Sequence, residues 1–104
     1  MTKMIRSLLV LTAAVSLAGA VAFAETGADI YKSNCQSCHG ATGTPSPGMA
    51  KAMGVKPNTD PSVKAHTVAQ MVAIVKTNAK MKTVAGKLSD AQITEAVNYF
   101  RTAK

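Results

Sequence analysis

An all-α fold is predicted for residues 25–104. Three segments repeat apolar residues at helical spacing, two of those segments open on capping boxes, and strand signals are weak throughout. The first helix is expected over about 26–38. Thr26 can cap it, Asp29 falls in the first turn, where the helix dipole favours negative charge, and Ile30 and Tyr31 supply an apolar face. From 40 to 61 the chain reads as loop, because Gly40, Gly43, Pro45, Pro47, Gly48, Gly54, Pro57 and Pro61 interrupt any long element. Only 49–53 is expected to make a helical turn. The second helix opens on the box Thr67-Val68-Ala69-Gln70 and carries Val68, Met71, Val72 and Val75 on one face. It ends near Asn78, ahead of a basic loop that holds Met81. The third opens on Ser89-Asp90-Ala91-Gln92, and Ile93, Ala96, Val97 and Phe100 form its stripe. Arg101 and Lys104 suit the negative end of its dipole.

The chain has 104 residues, and the first 24 read as a secretory signal peptide. Lys3 and Arg6 precede an uncharged apolar stretch over about 8–23, which closes on Ala22-Phe23-Ala24, a form signal peptidase accepts. The stretch falls short of the roughly 20 apolar residues of a membrane span. Cleavage after Ala24 is expected, with no stable membrane insertion afterwards; an uncleaved anchor is the alternative. Residues 25–104 then form one domain in a periplasmic compartment, and a monomer is expected. A domain this small often needs a staple or cofactor to complete its core. Aromatic supply is poor: there is no Trp, and Tyr31, Tyr99 and Phe100 are all that follow the signal.

The formal charge is +7, of which Lys3 and Arg6 contribute two, leaving +5 on residues 25–104. That balance favours an acidic partner. Export and the near absence of Arg argue against nucleic acid, whose phosphates favour Arg.

Cys35-Gln36-Ser37-Cys38-His39 is C-x-x-C-H, the attachment sequence for covalent haem. On a helix, Cys35 and Cys38 share a face, so both thiols can form thioethers to haem vinyl groups, and His39 on that face can reach the iron. Three other readings exist. A disulfide is possible in an exported protein. A thiol-redox C-x-x-C would come with a βαβ pattern that is lacking here. A zinc site would need more ligands than His66 can add.

With that motif in place, the sequence after the signal resembles the small monohaem class I cytochromes c of bacteria over essentially its whole length. Gly27-Ala28-Asp29-Ile30-Tyr31 ahead of Cys35-Gln36-Ser37-Cys38-His39-Gly40 looks like their first helix and attachment site. Lys80-Met81, Gly86-Lys87-Leu88-Ser89-Asp90-Ala91-Gln92-Ile93 and Val97-Asn98-Tyr99-Phe100-Arg101 look like their ligand loop and last helix. The resemblance implies the small cytochrome c fold, with three main helices and loops around one covalent haem c. It also implies Met81 as the second axial ligand opposite His39, although many relatives follow this Met with Pro and here Lys82 stands in that place. It implies a proline carbonyl that orients His39, Pro47 first and Pro45 in reserve, and a crossing of the terminal helices at Gly27 near Tyr99. From the residues alone, Met71 reads as core, Met49 and Met53 as pocket lining, and His66 as a rival axial ligand.

Met/His ligation closes the iron to substrates, so a periplasmic electron carrier that is not an enzyme is the leading expectation. The alternative is a haem sensor or haem enzyme with an open sixth site. Its redox partners are expected to offer an acidic docking surface to Lys80, Lys82 and Lys87, with Lys51 and Lys56 near the same rim.

Overall fold

The computed structural model describes residues 25–104; the expected signal peptide, 1–24, lies outside the described residues. Among these there are seven helices and no strand: α1 (Gly27–Asn34), α2 (Gln36–His39), α3 (Pro47–Met53), α4 (Pro61–Lys64), α5 (Val68–Thr77), α6 (Lys82–Ala85) and α7 (Asp90–Thr102). The three longest, of 8, 10 and 13 residues, are the three expected from periodicity. All three open on a complete capping box. Thr67 exchanges bonds with Gln70, Ser89 with Gln92 and Thr26 with Asp29. Each box satisfies two of the backbone groups that a helix start leaves without partners.

The first expected helix is broken. Cys35, at φ −121° and ψ −32°, leaves the helical path, so α1 stops at Asn34 and α2 restarts at Gln36. The break costs little hydrogen bonding. The Cys35 N–H donates to the Tyr31 carbonyl at 2.8 Å, and the His39 N–H donates to the Cys35 carbonyl at 3.0 Å.

The middle region is more ordered than its Pro and Gly content predicts. Ser46 caps α3 and accepts from the Met49 N–H at 3.3 Å, while Asp60 caps α4 and accepts from the Ser62 N–H at 2.9 Å. Pro47 and Pro61 sit in the first turns, where a missing N–H costs nothing. These prolines start helices rather than stop them. Gly54 ends α3 at φ +67°, the left-handed conformation that suits glycine.

Helix α7 organises the interior. On one side Ala96 packs with Ile30 and Tyr31 of α1; on the other Ile93 and Val97 pack with Met71 of α5 and Ala85 of α6. Leu88 and Phe100 touch both clusters. Tyr31, Ile30 and Ile93 are the largest fully buried side chains. Burial of each contributes on the order of 1.5–3 kcal/mol. Helix α1 crosses α7 at Gly27, where a β-carbon would stand 2.5 Å from the Glu95 carbonyl oxygen. The crossing lies one turn before Tyr99, which instead packs its ring on Tyr31 at 5.1 Å between centroids.

A buried asparagine fastens the loop to the end of α7. The Asn58 side-chain amide donates to the Phe100 carbonyl at 2.8 Å and the Ala103 carbonyl at 2.9 Å, and its backbone N–H donates to the Gly43 carbonyl at 2.9 Å. The Phe100 carbonyl lies in the last turn of α7 and the Ala103 carbonyl at its C-cap, where no intrahelical donors are left.

Candidate functional site

The bend at Cys35 and the short α2 bring Cys35, Cys38 and His39 to one cavity of about 450 Å³. That volume lies in the range of about 300–1,000 Å³ typical of small-molecule and cofactor pockets. The other residues facing it are mostly apolar, among them Val63, Ile74, Val75, Val84 and Val97. Met81 faces the same cavity and is half-buried. The four residues expected from sequence to hold the cofactor therefore meet around one space. His66, Met53 and Met71 face it too; Met49 does not, contrary to its expected place in the lining. Met71 also sits in the core, as its helical register predicts.

The electrostatics of His39 and Cys35 fit a held cofactor better than a thiol-redox pair. Burial pushes the His39 imidazole towards its neutral form, the form that ligates metals. Its Nδ1 is buried with no hydrogen-bond partner, a polar atom left for an orienting acceptor. Neither Pro45 nor Pro47 supplies one here. Pro47 is exposed in the first turn of α3, whereas Pro45 is buried in the loop that returns over the motif. No disulfide joins Cys35 and Cys38. Burial, and then the neighbouring Cys38, push the Cys35 thiol upwards. A thiol-redox cysteine requires the opposite shift. Among the described residues, no cluster of three or more His, Cys, Asp or Glu could hold a metal ion. A zinc reading therefore lacks ligands, while a cofactor that brings its own ligand ring needs only the axial positions.

The loop after the motif is tightly wound. Gly40 adopts φ +82°, and a β-carbon on it would stand 1.9 Å from the Thr44 carbonyl oxygen. The chain thus doubles back directly behind His39. The Tyr31 hydroxyl donates to the Gly40 carbonyl and ties α1 to this turn. Phe100 meets the His39 ring edge-on at 5.1 Å and 65°. Asn58, which fixes the Phe100 carbonyl, therefore helps to set the wall against which His39 rests. Nothing in the sequence marks Asn58 for this: it is a single polar residue in a loop, and its partners at the end of α7 lie more than 40 positions away.

The Met81 turn is built on Asn78, the C-cap of α5. The Asn78 carbonyl accepts from the N–H groups of Met81 and Lys82 at 3.0 and 2.8 Å, and its side-chain oxygen accepts from the Lys80 N–H at 2.9 Å. The Lys80 ammonium reaches back to donate to the Met53 carbonyl at 2.9 Å.

No helix among the described residues is long and apolar enough to cross a membrane. No curated protein and no solved structure matches the chain. A family model does: the one described as cytochrome c oxidase, cbb3-type, subunit III, matches residues 22–100, well over half of the chain. The chain belongs to that family, as a small monohaem class I cytochrome c-type domain, a haem-based electron carrier whose cofactor is covalently bound haem c.

Proposed function

We propose that the chain is a periplasmic electron carrier that holds haem c through Cys35 and Cys38, with His39 and Met81 as axial ligands, and that it catalyses no reaction of its own. The observation that carries this reading is the convergence of those four side chains on one largely apolar cavity. Bound there, the haem supplies a one-electron couple. The protein's part is to fix it, exclude water and tune it. The neutral imidazole of His39 offers a nitrogen donor, and the thioether of Met81 offers a soft donor that raises the reduction potential and leaves no position open to substrate. The signal-like segment 1–24 supports export, and 25–104 is then the working domain.

His66 faces the cavity as well, so two substitutions separate the ligand readings. Met81→Ala should abolish the weak far-red sulfur-to-iron band of the oxidised protein and convert low-spin iron to high-spin. His66→Ala should leave both features in place. The reverse pattern would overturn the assignment, and high-spin iron in the unaltered protein would favour the sensor or enzyme with an open site. Mass spectrometry should find residues 25–104 plus one haem, with no free thiol. For its partner, the protein offers lysines near the Met81 turn. Lys82 and Lys87 are exposed there, and an acidic redox protein is the matching surface for a monomer of this charge. Lys80 has a bond of its own to keep.

A further inference from the structure

We infer that Lys80 is a positioning residue: its ammonium, bonded to the Met53 carbonyl, is a clasp that holds the Met81 turn against the end of α3 and so sets how often Met81 leaves the iron. The inference rests on Met81 being the axial ligand.

The clasp joins two segments that no other hydrogen bond among the described residues connects. Met53 is the last residue of α3, and its carbonyl has no intrahelical donor. The end of that helix carries partial negative charge, which an ammonium stabilises. The bond from Lys80 Nζ, at 2.9 Å, spans 27 residues of sequence. Lys80, Met53 and Met81 all face the same cavity, so the bond runs along its rim. Lys80 is held at both ends, since its own N–H donates to the Asn78 side chain at 2.9 Å. Met81 follows immediately. Its base at Asn78 is local, made of bonds spanning three or four residues. On its far side the turn runs into α6, whose Ala85 N–H donates to the Met81 carbonyl at 3.0 Å. Among the described residues, the Lys80 bond is its one hydrogen bond to α3. Removing that bond should therefore leave the turn intact and let it open more often.

Both Lys80 and Lys82 are exposed, and what separates this role from solvation and from docking is the bond to the Met53 carbonyl. An ammonium that merely keeps the domain soluble has no need of a carbonyl partner. One that only steers a partner is replaceable by a charge nearby. Lys82, on the other side of Met81, supplies that comparison, because it is exposed in the first turn of α6 and carries the same charge.

The test uses the oxidised holoprotein and imidazole, an external ligand that reaches the iron only when Met81 has left it. Lys80→Met keeps the length of the side chain and removes the donor. Imidazole should bind to it about two- to fivefold faster than to the unaltered protein, as expected for a charge at a helix end. Its thermal midpoint should scarcely move, since no buried contact is lost. Lys80→Arg restores a donor and should restore the slower binding. Lys82→Met removes a charge but not the clasp and should bind imidazole at the unaltered rate. Equal rates for Lys80→Met and the unaltered protein, or equal acceleration in Lys80→Met and Lys82→Met, would overturn the clasp while Met81 remains the ligand. If instead Met81→Ala leaves the far-red band intact, the ligation itself falls, and the clasp with it.

Discussion

Gly27 and the backbone of Glu95 meet so closely that a β-carbon on Gly27 would stand 2.5 Å from the Glu95 carbonyl oxygen and 3.0 Å from its carbon. The obstacle is backbone, which cannot rotate away as a side chain can. Gly27→Ala should therefore push α1 from α7 and cost about 1–3 kcal/mol, the range of overpacked sites. Urea unfolding of the holoprotein measures it. Gly48 is the control. It lies within α3 with nothing inside 4 Å of an added β-carbon, so Gly48→Ala should stabilise by about 0.5–1 kcal/mol.

Asn58→Ala would strip the Phe100 and Ala103 carbonyls of their donor and should cost about 2–3 kcal/mol, since each unsatisfied buried group carries its own desolvation cost. Asn58→Asp puts an acceptor where the carbonyls need a donor. Its ionised form is repelled, so its folded-state pKa must lie above the unfolded value of about 4. The sign follows: the variant should be least damaged below that pH, where the protonated carboxyl can donate, and should lose stability as pH rises through the raised folded value. Unfolding midpoints from pH 3 to 7 should fall with pH in this variant relative to the parent.

Burial above all pushes the Tyr31 phenol from 10.0 up to about 12. Because the folded value lies above the unfolded one, the neutral phenol contributes its full stability below pH 10 and loses it as pH climbs towards 12. An ultraviolet titration should show a phenolate step near pH 12 that Tyr31→Phe removes. At neutral pH, Tyr31→Phe should cost about 1 kcal/mol for the lost bond to the Gly40 carbonyl.

Reversal of the two free lysines near the Met81 turn, Lys82→Glu with Lys87→Glu, should slow electron transfer to an acidic partner and leave the visible spectrum unchanged. In the parent, the rate should fall as salt shortens the Debye length below about 10 Å. Stopped-flow rates at several ionic strengths decide it. Rates indifferent both to salt and to the reversal would put the docking face elsewhere.

What could be read from the sequence was what is local. The boxes at Thr67 and Ser89 and the stripes behind them gave α5 and α7 nearly to the residue, because a capping box and its periodicity lie within one or two turns. The C-x-x-C-H spacing is equally local, and Cys35, Cys38 and His39 do share one cavity. The break at Cys35 was not legible: no Gly or Pro announces it, and the thiols' spacing serves a bent segment as well as a straight one. The turn expected over 49–53 is the body of α3, but its start at Pro47 and the whole of α4 were not legible, because Pro47 and Pro61 read as breakers although Ser46 and Asp60 stand before them as caps. The bonds of Asn58 to Phe100 and of Lys80 to Met53 join residues that only the fold makes neighbours.

The crossing of α1 on α7 also fixes an order in time. Helix α7 follows every other described element in the chain, so it is the last of them to be synthesised, and α1 is the first. Until α7 emerges, Ile30 and Tyr31 have no Ala96 or Phe100 to pack on, and an isolated helix of 8 residues is far below the length that holds in water. The first half of the molecule cannot fold ahead of the second. Cys35, Cys38 and His39 therefore stay on an unpacked stretch of chain until the last helix is available.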